Sequence, residues 1–228
     1  MCTAFTSVAL VAAVCAPAAA GASEVLDGTV AMVVAAHEAP TAAEVKLQEH
    51  LVEAGYFVVL LDDDTVSPDE VGGAAFVLVS STVGSVVLGD RLAAVAAPLW
   101  LGKPYLFDDY GLTDSVAEVD YGTKRATKVK ISEASHPLAA GYQGKVKIYA
   151  AEKNVSWGKP VTAATVVAKV KSDPAIFSIA QGATLADGSV AAGCRLTFPI
   201  YETAPLGFTK KGWRMFDAAA AWAAAGCA

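Results

Sequence analysis

The chain has 228 residues, 54% of them hydrophobic and 18% charged, which excludes a disordered polymer and suits one α/β-sized domain with a sizeable core. Lys and Arg total 17 against 23 Asp and Glu, a net charge of −6. That balance, with no basic stripe interleaved with aromatics, argues against a nucleic-acid partner.

The chain opens with "MCTAFTSVALVAAVCAPAAAGAS", apolar, small-residue-rich and uncharged before Glu24. Residues 1–22 read as a secretory signal peptide with cleavage near Ala20 to Ala22, although the first residues lack Lys and Arg. The run is too short for a stable membrane span. Residues 23–228 then form a single domain, secreted or extracytoplasmic.

"TVAMVVA" (29–35) is a continuous apolar strand, and "TAAEVKLQEHLVEAG" (41–55) a helix with Thr41 and Glu44 as capping box and Gly55 as stop. Next come the strand "YFVVLLD", an acidic loop, the strand "AAFVLVS", a weaker helix over Val83–Val95, and the strand "APLWLG". Apolar strands separated by helices predict a mainly parallel central sheet covered on both faces. Beyond Phe107 the chain turns polar, and "KVKIYA", "ATVVAKV", "AIFSIA" and "GCRLTFPI" read as strands of an antiparallel C-terminal extension. An Ala-rich helix carrying Trp213, Phe216 and Trp222 closes it. Without the leader, two cysteines remain. A helix returning along its preceding strand brings Cys227 beside Cys194, which favours a disulfide over two independent thiols.

In an open α/β sheet, ligands bind beyond the carboxyl ends of the parallel strands. This selects His37 and Glu38 after the first strand, Ser81 and Thr82 after the third, and Asp108 and Asp109 after the fourth. The loop "SSTVGS" has neither the flanking glycines of a nucleophile elbow nor the lysine of a phosphate cradle, so helix capping competes with ligand contact there. The first turn lacks a dinucleotide glycine pattern, and "LLDDDTVSPDE" lacks that of a calcium loop. His50 is placed on the surface of the first helix. His136, in "SHPLAAG", is either a rim residue or a structural hydrogen-bonder. No metal-ligand spacing and no cofactor motif stands out. Asn154-Val155-Ser156 is a glycosylation sequon, and Trp157 either lids the core or stacks on a sugar from a loop.

Taken together, "TVAMVVAAHEAPTAAEVKLQEHLVEAGYFVVLLDDD", "FVLVSSTVGS", "PLWLGKPYLFDDYGLT", "SHPLAAGYQGKVKIY" and the closing "RLTFPIYETAPLGFTKKGWRMFDAAAAWAA" resemble the class I glutamine amidotransferase-like superfamily, in particular its ThuA-like branch found in secreted bacterial proteins. The resemblance spans about residues 28–225 and implies a flavodoxin-like three-layer sandwich. Active members use a cysteine after a central strand and a downstream histidine. Here "PLWLG" runs into Lys103 and Pro104, and no histidine follows His136. The expectation is therefore a non-catalytic binding or accessory domain for a carbohydrate or another polar small molecule, its ligand candidates His37, Glu38, Ser81, Thr82, Asp108, Asp109 and His136. The alternatives are a hydrolase or sugar-modifying enzyme with a His/Asp site, and a structural surface or assembly protein.

Overall fold

The computed structural model describes residues 28–228. The leader expected over residues 1–22 lies outside them. Strands β1 (Thr29–Val34), β2 (Phe57–Asp62), β3 (Phe76–Val79) and β4 (Leu99–Leu101) alternate with helices α1 (Ala42–Glu53), α2 (Pro68–Val71) and α3 (Ser85–Leu88). Seven further strands follow: β5 (Tyr121–Ala126), β6 (Lys128–Ile131), β7 (Lys145–Lys147), β8 (Lys153–Gly158), β9 (Thr165–Val170), β10 (Asp173–Ile179) and β11 (Arg195–Thr197). Helix α4 (Lys210–Ala224) closes the chain.

Nine strands form one sheet in the order β2-β1-β3-β4-β11-β10-β9-β6-β7. From β2 to β11 every pairing is parallel. From β11 to β7 every pairing is antiparallel. The fold is thus mixed α/β, but the sheet is divided between the two senses instead of being mainly parallel. Its antiparallel part is not a C-terminal extension: it is inserted in the chain between β4 and β11. The cause is visible in composition, since β6 and β7 alternate lysine with apolar residues and bury one face only. β5 and β8 pair apart as a two-stranded sheet.

α1 and α4 cover one face, where Leu47, Leu51, Met215 and Phe216 pack on Val30, Met32, Phe76, Trp100 and Phe198. The opposite face, with Val33, Val77, Val79 and Leu101, is covered by Val66, Val71, Leu88, Leu92 and Leu106 from short helices and loops. The helix expected over Val83–Val95 is one turn long, because Gly89 takes a left-handed φ of 50° and ends it. At the other end of α1, Thr41 and Glu44 form the expected capping box.

Cys194 and Cys227 are bonded, their Cα atoms 6.3 Å apart, so the end of α4 is tied to the start of β11. The next residue, Arg195, is 1% exposed and gives its guanidinium protons to the carbonyls of Cys194, Ala93 and Val95. Burial draws its pKa down to about 10. It anchors the segment before β4 to the strand at which the sheet changes sense. No helix among the described residues is long and apolar enough to cross a membrane.

Candidate functional site

The carboxyl ends of β1, β3, β4 and β11 open on one rim. After β1 the chain turns at His37. Its backbone N–H donates to Asp62 Oδ1 (2.5 Å), and its Nδ1 pairs with Asp62 Oδ2 (2.7 Å) at the end of β2. The carboxylate raises the pKa of His37, first through the hydrogen bond and then through its charge, and His37 in turn lowers that of Asp62. Glu38 is exposed beside it.

After β3, Thr82 accepts the Ala35 N–H (3.3 Å) and donates to Glu44 Oε1 (2.5 Å). Glu44 is 3% exposed, and its other oxygen closes the α1 cap on Thr41. One carboxylate therefore serves the helix start and the β3 loop together. Ser81 accepts the backbone N–H of Glu202 (2.7 Å), which lies past β11. Glu202 holds a left-handed φ of 50°, a conformation that disfavours a side chain and is kept where surrounding contacts fix it. Its carboxylate accepts from Asn154 Nδ2 (3.0 Å).

Between Thr41–Ala43, Thr82, Glu202, Thr203 and Leu206 lies a cleft of about 270 Å³. Its walls are mainly apolar, and Thr41, Thr82, Thr203 and Glu202 bring the polar side chains to its lining. It falls just below the ~300–1,000 Å³ of sites for drug-sized ligands.

Lys103 follows β4. Gly102 before it has no room for a side chain, since a Cβ would meet Val79 O at 2.7 Å and Ile200 at 2.8 Å. The chain therefore passes closely under β3 and β11 before Lys103 donates to Val83 O (2.6 Å). Burial lowers the Lys103 pKa, opposed by the nearby Asp63 and Glu202 charges.

The other expected residues separate. Asp108 accepts from Tyr121 OH (3.0 Å), beyond Tyr105, whose OH donates to Glu118. Burial and these carboxylates push both phenols up to about 12. Asp109 is exposed, and its pKa is raised by desolvation and then by Asp108 and Asp90. His136 caps the turn Pro137–Ala139, lies 3.5 Å from Ser178 Oγ and meets the Trp222 ring edge-on. Ser178 pairs with Leu196 and Trp222 lies near the end of α4, so His136 sits toward the opposite end of the sheet from His37. Burial lowers its pKa. It fills the structural role.

The sequon lies on β8 rather than in a loop. Asn154 is engaged by Glu202, and Ser156 is buried. Trp157 is also on β8, 4% exposed under Lys124, and lids the core. Glu44, Asp62, Lys103 and Glu202 were missing from the expected site. In sequence Glu44 reads only as a cap, and Glu202 has no local motif. Among the described residues, no group of three or more His, Cys, Asp or Glu is arranged to hold a metal ion. The chain matches no family model and no curated protein.

Proposed function

We propose that this chain is a secreted, non-catalytic binding domain of amidotransferase-like, flavodoxin-related fold, taking a small polar ligand such as a single sugar ring at its carboxyl rim. The observation that carries it is the cleft where Thr41, Thr82 and Glu202 meet. Thr41 and Thr82 give their protons to Glu44, so the cleft offers acceptor oxygens held in place by bonds that include links between distant elements, which reduces the ordering cost of binding. The parallel order β2-β1-β3-β4-β11 supports the fold reading, being that of flavodoxin-like doubly wound sheets with its crevice between β1 and β3. Lys103 at the exit of β4 supports the loss of thiol chemistry. The disulfide supports an oxidising compartment.

The test is a thermal-shift titration of the chain with a panel of neutral mono- and disaccharides. A member of the panel raises Tm with concentration, as expected for ligand bound to the native state alone. Thr82→Val and Glu202→Ala abolish the shift. A panel without any concentration-dependent shift overturns the proposal.

A hydrolytic reading has one observation in its favour, the His37–Asp62 pair, which resembles an oriented general base. It predicts turnover of nitrophenyl esters or glycosides that His37→Ala removes. No turnover in the wild-type chain ends it.

A further inference from the structure

The antiparallel part of the sheet carries a concentration of positive charge that neither cleft nor core requires. Lys128 stands directly opposite Lys147, and Lys130 opposite Lys145 on one side and Lys169 on the other. Residues directly opposite share a face, so five lysines project together, four of them exposed and Lys169 half-buried. Directly opposed like charges destabilise a sheet. Among the described residues none of the five has a carboxylate within ion-pair distance. The acids of this region are engaged elsewhere: Asp173 with Lys124, Glu152 with Arg125, Glu133 with Ser135.

A second violation adjoins the first. α4 begins with Lys210 and Lys211, followed by Arg214, and has no acid in its first turn, so its cations sit at the positive end of the helix dipole. This end touches β7: Thr209 donates to Lys147 O (2.8 Å), and Gly212 passes so close to Ile148 O that a Cβ would lie 2.4 Å from it. Lys211 and Arg214 both lie over the Tyr142 ring. Val146 points into the core beside α4, so Lys145 and Lys147 point to the other face. The cations therefore flank the β7 edge from both faces of the sheet as one basic ridge.

Protection of an exposed edge by lysine accounts for Lys145 and Lys147 on β7 but not for the rest of the cluster. β6 and β9 are internal strands, and the opposite edge strand, β2, carries no lysine at all. The geometry points to this ridge as a docking surface for a linear polyanion, specifically an acidic polysaccharide bearing carboxylates along its chain.

The chemistry selects that partner on three counts. Lysine ammoniums are point charges without the fork that reads bases or grips phosphate bidentately, and the ridge has one arginine. Stacking of single-stranded bases needs free aromatic faces, whereas Tyr142 is already covered by Lys211 and Arg214. A bilayer surface is held by inserted apolar side chains as well as charge, and β6 and β7 bury all of theirs, leaving none to insert. A flexible polyanion follows the ridge round the edge. This surface is separate from the cleft and stands or falls independently of the ligand bound there.

The test uses polygalacturonate, with fully methyl-esterified polygalacturonate as the uncharged control, and follows binding to the whole chain in low and in 0.3 M salt. The acidic polymer binds, the ester does not, and salt weakens the complex strongly. The quadruple variant Lys128→Gln, Lys130→Gln, Lys145→Gln, Lys147→Gln loses affinity about tenfold or more with an unchanged or higher Tm, since opposed charges have been removed. Lys130→Glu places an acid between Lys145 and Lys169; it raises Tm and weakens binding, a combination that misfolding does not produce. The inference is overturned if polygalacturonate does not bind, if the quadruple variant binds as well as wild type, or if duplex DNA or phosphatidylserine vesicles bind more tightly than the polysaccharide.

Discussion

The two halves of the nine-stranded sheet are continuous in hydrogen bonding and opposite in chemistry. β1 to β4 are apolar runs without a lysine, covered by α1 and α4 on one side and short helices on the other. β6 and β7 bury alternate residues and turn lysines outward. In β1, β3 and β4 both faces are core, so any change of shape is felt there, while β2 at the edge leaves Phe57 and Val59 exposed. In β6 and β7, at the far edge of the antiparallel half, one face is free to carry charge at a modest stability cost, whereas β10 beside β11 is buried on both faces. The loops of the candidate site collect at one end of the first half, while the second presents a charged face.

Four measurements probe that contrast. The largest effect falls in the parallel half. Trp100 is fully buried on β4 against Phe76, Phe198 and Phe216, and Trp100→Ala should destabilise by about 3–5 kcal/mol in urea unfolding. A loss under 1 kcal/mol would mean the two halves do not differ as described.

Second is the link between the end of α4 and β11. Its cysteines are 33 residues apart, and the double substitution Cys194→Ser, Cys227→Ser should lower stability by about 3–4 kcal/mol through loop closure in the unfolded chain. Adding reductant to the wild type should reproduce the same value.

Third, Arg195→Met tests the strand that joins the halves. It strands the Ala93 and Val95 carbonyls and should cost about 1–3 kcal/mol by the same assay. An unchanged midpoint would show that solvent replaces the guanidinium there.

The smallest effect compares two histidines. The native pKa of His37 is raised above 6.5, so its contribution is complete below pH 6.5 and is lost as pH rises through the native value. Its partner Asp62 is lowered below 3.8, and that contribution is lost as pH falls through the native value. His136 is lowered below 6.5, so the unfolded chain takes up the proton first and stability falls as pH drops from 6.5 toward the native value. Imidazole titrations followed by NMR should separate the two histidines in opposite directions. His37→Ala should flatten the alkaline limb of the stability curve, and His136→Ala the acid limb.

Much of this was legible in sequence. Thr41 and Glu44 marked the start of α1, the apolar runs marked the parallel strands, and strand–helix return geometry paired the cysteines. The carboxyl-end rule reached Ser81, Thr82 and His37. It missed Glu44 because a capping motif accounts for one carboxylate oxygen and says nothing of the second, which Thr82 uses. Glu202 escaped because its placement depends on β11 lying beside β4, a pairing between residues far apart in the chain. His136 lay outside the reach of that rule, because its loop belongs to the antiparallel insert; the hydrogen bond it accepts from the Leu138 N–H and its contact with Trp222 depend on how the insert packs. "NVSWGKP" concealed β8, whose alternation is broken by Gly158 and Pro160.

β11 has a consequence for how the chain assembles. It occupies the middle of the sheet yet is the last strand of the described chain, with β4 complete at Leu101 and β11 opening only at Arg195. Both of its neighbours must wait, each with an unsatisfied flank, until this late segment arrives to knit them together. Non-local closure of this kind slows folding and leaves sticky intermediates. Removal of everything from Gly193 onward would therefore leave two incomplete sheets with open central edges, prone to pairing with those of other molecules.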